Sequence, residues 1–286
     1  MLSKSQLWFF AENGFVIVEH FVPVDLVNAA KTRIEPLFRG EFETSIQPDE
    51  WNWREGISPA NHTRQICNGW KSDLNIARIV LRQAVGQYAA QLMNWPGARI
   101  NQDNVIWKPP GAQALGFHQD NAYQDWIVPA SMLSCWMTMD DTRADGGTIE
   151  YVPGSHRWPV AEKIRQFHAP DDYHEALKQA AAQRNIGDYK IVKIEINAGD
   201  AVFHHGAIWH GSGPNNSDQP RRSLVSHCMS SEARFHDTIT TPIYSRYKLA
   251  GSTTMDESFF PILWLDGEER SDFLANYLSG RNTFSQ

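Results

Sequence analysis

His118-Gln119-Asp120 places an imidazole and a carboxylate two residues apart, and His210, in Trp209-His210-Gly211-Ser212-Gly213-Pro214-Asn215, adds a second imidazole. On an extended strand, positions i and i+2 face the same way, so His118 and Asp120 can grip one ion together. Two neutral imidazoles and one carboxylate on one face of a metal form the 2-His-1-carboxylate set. That set leaves adjacent coordination positions open, as non-haem Fe(II) oxygenases require. Further along, Arg221 opens another strand-like run. A guanidinium there can hold the distal carboxylate of 2-oxoglutarate through two parallel charge-assisted hydrogen bonds. His-x-Asp alone occurs by chance in chains of this length; the joint pattern is much rarer.

The same donors could hold zinc in a hydrolase or a metal-binding module. Arg221 separates the two readings, because a zinc hydrolase has no need of a 2-oxo-acid clamp. Other chemistries lack their signatures. There is no G-x-x-x-x-G-K-[ST] phosphate loop, no Gly-x-Ser-x-Gly elbow, and no Asp/Glu pair framed by turn and strand signals as Asp120 is.

These residues need elements to carry them. The spacing predicts a short helix from Ser5 to Asn13 stopped by Gly14, a strand over Phe15–Val18, and a helix from Leu26 to Phe38. Ser45–Ala60 has neither period and reads as a long loop carrying Trp51, Trp53 and Arg54. Ile76–Met93 has a continuous 3.6-residue period and predicts one helix. From Ile100 the texture changes to short β-like segments: Asn104–Trp107, Leu133–Met139, Thr148–Val152, Ile191–Ile196, Ala201–His204 and Ser223–Met229. Turns such as Asp145-Gly146-Gly147 and Ala198-Gly199-Asp200 separate them, which argues for a sandwich or barrel. Pro159–Arg184 is polar and helical in character and reads as an insertion over one face. The expected organisation is one domain over 1–286: a mostly helical layer over 1–99, a β core over 100–235, and a C-terminal arm over 236–286.

Composition narrows the partners. The chain has 286 residues, 42% hydrophobic and 21% charged, an ordinary globular mixture. With 26 Lys and Arg against 33 Asp and Glu, the net charge is −7, and no basic stripe appears, so nucleic acid is not an expected partner. Cys67, Cys135 and Cys228 are far apart and odd in number, which suits reduced, buried thiols in a cytoplasmic protein. No apolar run approaches the roughly 18 residues of a membrane span, and no signal-peptide core follows Met1. The expected partner is a small molecule, with the protein a monomer or homodimer.

Gly116-Phe117-His118-Gln119-Asp120, Val152-Pro153-Gly154-Ser155-His156, and His205-x₄-His210-Gly-Ser-Gly-Pro-Asn with Arg221 resemble the phytanoyl-CoA dioxygenase (PhyH) family. The resemblance runs from about Gly14 to at least Met229. It implies a mainly β fold with flanking helices, built on a double-stranded β-helix (jelly roll, cupin-like) core. It also implies Fe(II), 2-oxoglutarate and O₂ as cofactor and co-substrates, with succinate and CO₂ as co-products. By this resemblance His118, Asp120 and His210 are the iron ligands, and Arg221 and Ser212 bind the distal carboxylate of 2-oxoglutarate. Asn104 and Trp136 fall where such enzymes line the co-substrate pocket. The implied reaction is oxidation of an unactivated C–H, hydroxylation by default, with desaturation, cyclisation or oxidative dealkylation as variants. Asp120 disfavours halogenation, in which a small residue replaces the carboxylate to admit halide.

Substrate contacts are sought in the neighbouring segments. Tyr123 and Trp126 follow the His-x-Asp motif along its rim, and His205 lies five residues before His210. Trp51, Trp53, Arg54, His62 and Arg64 lie in and beyond the Trp-rich loop, and would suit a small polar or anionic molecule better than a lipid. That loop and the insertion from Pro159 are the expected cover of the site. The Phe259–Trp264 run, the most apolar in the chain, is expected to pack back on the domain or across a dimer.

Overall fold

Ser3 accepts a hydrogen bond from the Gln6 amide while the Gln6 side chain accepts from Ser3, a reciprocal cap that starts helix α1 (Lys4–Asn13). Gly14, at φ 80°, ends it in the left-handed conformation that a side chain disfavours, and strand β1 (Phe15–Val18) follows at once. Helix α2 (Val24–Phe38) buries Val27, Ala30, Ile34, Leu37 and Phe38, the apolar stripe that its spacing predicts. The computed structural model describes residues 1–164, 166–267 and 271–279.

The long loop is interrupted by a two-residue strand β2 (Glu50–Trp51), and β3 (Arg64–Cys67) follows it. The single helix expected over Ile76–Met93 is two: α3 (Leu74–Val80) and α4 (Gln83–Met93). Apolar periodicity runs through the break, but Leu81 leaves the helical region and Arg82 is extended, at φ −65° and ψ 139°. The Arg82 guanidinium donates to the Phe21 carbonyl and lies over the Phe21 ring, a tertiary tie that periodicity does not register.

The β core begins slightly early, with β4 (Gly97–Lys108), and continues through β5 (Leu115–His118), β6 (Ile127–Val128), β7 (Leu133–Thr138) and β8 (Ile149–Tyr151). Among the described residues of the insertion, only α5 (Glu175–Gln183) is an α-helix, and the described stretch before it is largely irregular. Then come β9 (Val192–Lys193), β10 (Ala201–His205), β11 (His210–Ser212), β12 (Arg221–Ser230), β13 (Arg234–Phe235), β14 (Ile262–Leu265) and helix α6 (Asp272–Leu278).

The strands form a large sheet in the order β1-β10-β7-β12-β4-β3-β2, with β14 also pairing β4, and a smaller sheet β5-β11-β8-β9. Every pairing is antiparallel, and the two sheets together make the jelly roll of a double-stranded β-helix. Helices α2, α3 and α4 cover the outside of the large sheet through the main core cluster, which includes Ile34, Leu37, Ile79, Val85, Ile100, Phe203 and Leu224. The apolar C-terminal run packs back on the domain: Phe260 joins a cluster with Trp126 and Phe235, and Leu263 lies beside Gly86 of α4. No described helix is long and apolar enough to cross a membrane.

Candidate active site

The two sheets enclose a cavity of about 360 Å³. The large sheet contributes residues of one parity. Antiparallel partners face the same way: Glu50 pairs with Cys67, Cys67 with Asn104, Asn104 with Val225, and Val225 with Trp136, and all five line the cavity. A parallel row brings in Gln102 and His227. The smaller sheet contributes His118, His210 and Ser212.

His118 closes β5 and His210 opens β11, and the register sets them directly opposite one another. Asp120 is not on the strand. Gln119 remains extended, and Asp120 begins a 3₁₀ turn through Tyr123, which still turns its carboxylate to the side of His118. The result is compact: His118 Nε2 and His210 Nε2 lie 3.3 and 3.6 Å from Asp120 Oδ1, and one ligand atom from each residue lies within 4.8 Å of the others.

The donor set fits a divalent metal ion. His118 Nδ1 is 2.9 Å from the Gly116 carbonyl and His210 Nδ1 is 3.1 Å from the Ile208 carbonyl. A carbonyl only accepts, so both Nδ1 atoms carry the proton and both Nε2 lone pairs face Asp120 and the space between. Burial opposes ionisation of Asp120, but hydrogen-bond donation from His204 helps hold its carboxyl well below the usual carboxylate range. Burial pushes His210 well below the usual imidazole value, so it is present as the neutral ligand.

The second oxygen of Asp120 is held from behind. Ser134 Oγ donates to Asp120 Oδ2 at 2.7 Å, and His204 Nε2 approaches the same oxygen at 3.3 Å. Ser134 has one proton, so its oxygen accepts from His227 Nδ1, 2.7 Å away. His227 Nε2 therefore accepts from Asn104 Nδ2 at 2.9 Å, and Asn104 Oδ1 faces the Cys67 thiol at 3.0 Å. Burial brings His227 down to about 4, consistent with a neutral ring. Ser134→Ala is expected to lower metal affinity or turnover by about 10- to 100-fold, the usual cost of losing a group that orients a metal ligand. Fe(II) titration alongside thermal unfolding checks this, since the fold is expected to persist.

At the other end, Arg221 is 3% exposed. It donates to the Gly147 carbonyl through Nε and Nη2 and to Ser223 Oγ through Nη1, and its guanidinium lies 5.6 Å from the Trp136 ring centre. Burial pulls it down to about 10, still charged at neutral pH. Ser212 Oγ is buried and has no hydrogen-bond partner among the described residues. A buried hydroxyl without a partner costs free energy that a bound carboxylate oxygen would offset. Lys108, which pairs with Arg221 in the β4–β12 register, is fully buried and donates to the Ser212 and Gly213 carbonyls. Burial first, and then Arg221, push its ammonium well below the ordinary value. Lys108 was not a sequence candidate, although its place directly before Pro109-Pro110 and opposite Arg221 marks it once the register is known.

The expected substrate contacts divide sharply. Tyr123 lines the cavity. Trp126, Trp51, Trp53, Arg54, His62, Arg64 and His205 do not. Trp126 packs against Phe235, Tyr244 and Phe260. His205 follows His204 on β10 and so takes the opposite face, beside Phe10 and His156. Arg64 lies between the rings of Trp53 and Trp107, at 3.9 and 4.0 Å, and Arg54 covers Trp51 at 3.3 Å. In their place the structure brings Glu50, Gln65, Gln102 and Gln124, together with Ile164, Phe167 and His168 of the insertion. Alternation points to part of this set: Gln102 and Ile106 share the parity of Asn104, and Gln65 shares that of Cys67.

Residues 10–223 match the phytanoyl-CoA dioxygenase (PhyH) family. The chain belongs to that family. With the triad in place, it is a non-haem Fe(II)- and 2-oxoglutarate-dependent dioxygenase. Similar family proteins include the peroxisomal phytanoyl-CoA dioxygenase of Homo sapiens, 22% identical over 83% of this chain and 71% of the relative. The dioxygenase olcK of Penicillium canescens is 21% identical over 74% of this chain and 66% of the relative. Among solved structures, the carbocyclase SnoK of nogalamycin biosynthesis has a TM-score of 0.71 at 21% identity, covering 91% of this chain and 96% of that one. The epimerase SnoN has a TM-score of 0.68 at 19% identity, covering 91% and 98%. These likenesses establish the shared fold.

Proposed function

We propose that this family member hydroxylates an unactivated C–H of a small metabolite, with succinate and CO₂ as co-products, and that His118, Asp120 and His210 hold the iron. The observation that carries the reading is one cavity with two ends. At one end lie three metal donors with their tautomers set; at the other, the buried Arg221 and the unpartnered Ser212 hydroxyl. Bound to the triad, Fe(II) supplies the redox chemistry that couples O₂ reduction and 2-oxo-acid decarboxylation to removal of a substrate hydrogen atom.

The chain's own residues bind, orient and exclude water. Arg221 and Ser212 receive the distal carboxylate of 2-oxoglutarate, and Trp136 and Asn104 form the wall beside it. Ser134 and His204 fix the Asp120 carboxylate from behind. Phe167, whose ring meets His118 edge-on at 4.7 Å, covers the metal side together with Ile164 and His168. A shielded site of this kind keeps the oxidant from being spent on water and holds one C–H near the reacting position. SnoN and SnoK are described as an epimerase and a carbocyclase, so the outcome after hydrogen removal depends on how the substrate is placed. Hydroxylation is the default.

Anaerobic Fe(II) titration in the presence of 2-oxoglutarate tests the reading. The expected result is a weak visible metal-to-ligand charge-transfer band that needs both components. No band from iron-loaded protein would move the assignment to a zinc hydrolase or binding module.

A further inference from the structure

Among the described residues, the cavity wall contains one formal charge that neither the metal nor the co-substrate uses. Asp120 belongs to the triad and Arg221 faces the co-substrate end. His204 is bonded between Tyr151 and Asp120, and His227 between Asn104 and Ser134. His168 is 3.2 Å from the Asn52 amide, and burial holds it down to about 4. Burial pushes the Cys67 thiol and the Tyr123 phenol up, away from ionisation. What remains of the titratable lining is Glu50.

The strands aim this carboxylate. In β2, Glu50 pairs with Cys67 and shares its face, while Trp51 takes the opposite face and packs on Phe42. The Cys67 thiol, a weak donor that brings no charge, lies 3.1 Å from Glu50 Oε2 and 3.0 Å from Asn104 Oδ1, and its one proton serves only one of them. The nearby cations are spent on its neighbour: Lys71 and Arg246 approach Asp49 at 2.7 and 3.5 Å, and Glu50 makes no ion pair among the described residues. Other described residues of the same cavity wall are neutral: the amides of Gln65, Gln102 and Gln124 and the rings of Tyr123 and Phe167. Aromatic rings and an unpaired carboxylate both favour a positive charge.

We propose that the substrate carries a cationic nitrogen, an ammonium or guanidinium group, which Glu50 receives at the mouth of the cavity. This rests on the oxygenase reading above and names the substrate class of the same site. Of the small polar or anionic molecule expected from the sequence, it keeps the polar character and drops the anionic one, because Arg54, His62 and Arg64 do not line the cavity and Glu50 does. Polyanions such as acyl-CoA find no described cation in this wall beyond Arg221, which is committed to the co-substrate.

The test screens three sets of small metabolites of similar size against protein loaded with Fe(II) and 2-oxoglutarate. The sets are primary and quaternary amines with guanidines, uncharged polyols, and carboxylates with phosphate esters. Thermal shift under anaerobic conditions reads binding, and succinate release in air reads turnover. Binding and stimulation are expected to concentrate in the cationic set. Glu50→Gln, which keeps the shape, is expected to weaken the best cationic member at least tenfold, and Glu50→Lys to abolish its binding. Hits confined to the neutral or anionic sets, or a cationic hit indifferent to both variants, would overturn the proposal. The Fe(II)–2-oxoglutarate visible band, recorded on the same samples, distinguishes the failures. A band without cation preference removes only the substrate assignment; no band in the wild type removes the oxygenase reading beneath it.

Discussion

Asp120→Ala is expected to eliminate turnover and the Fe(II)–2-oxoglutarate visible band together. The carboxylate is the one anionic donor of the triad, and both imidazole Nε2 atoms face its Oδ1. Groups that merely orient a ligand contribute about 10- to 100-fold to metal affinity, so loss of the ligand itself is expected to exceed that range, leaving iron binding too weak to detect at micromolar protein. The variant also leaves Ser134 and His204 without their shared acceptor. A destabilisation of about 1–3 kcal/mol per group stranded without a partner follows from buried polar groups of this kind. Circular dichroism and a melting curve check that the fold survives, and metal analysis after desalting checks the iron. Full iron occupancy in Asp120→Ala would overturn the assignment of this carboxylate as a ligand.

Arg221→Ala is expected to raise the concentration of 2-oxoglutarate needed for half-saturation by about 100-fold or more. Charge-assisted hydrogen bonds contribute about 1.5–3 kcal/mol each, and two to one carboxylate convert to a factor of roughly 10² to 10⁴. Iron binding without co-substrate is expected to stay near wild type, because Arg221 does not contact the triad. That split between the two titrations distinguishes a co-substrate clamp from a merely structural buried cation. Arg221→Lys is expected to recover only part of the loss, since a lysine ammonium cannot present the planar, two-pronged donor pair. An unchanged 2-oxoglutarate requirement in Arg221→Ala would remove the clamp assignment and place the distal carboxylate elsewhere, with the buried Lys108 as the next cation to replace.

Much of the proposed chemistry was legible in the sequence. His-x-Asp, the second histidine in a Gly-Ser-Gly-Pro setting and the downstream arginine are local patterns, and their residue types restrict what they can bind. The first helix, its stop at Gly14 and the first strand were legible for the same reason: each depends on a few adjacent residues and on backbone preferences. The substrate wall was not legible in that way. Trp51, Arg54 and Arg64 were conspicuous by type, yet Trp51 and Arg64 take the wrong parity of their strands, and in a strand one position reverses the face. Glu50 and Gln65, inconspicuous beside them, take the right one.

What the sequence by itself determined is the kind of atom available at each point and the local bends of the backbone; that sufficed to single out His118, Asp120 and His210, which the fold brings together, and Arg221 as the proposed co-substrate arginine. Only the tertiary structure decided which faces meet. The register joining β2, β3, β4, β12 and β7 aligns Glu50, Cys67, Asn104, Val225 and Trp136 from segments far apart in the chain. It also set the break between α3 and α4, where the tie from Arg82 to Phe21 overrides a continuous apolar period. Both are long-range choices, made where buried polar groups find partners and apolar faces close against one another, and neither leaves a trace in the neighbouring residues.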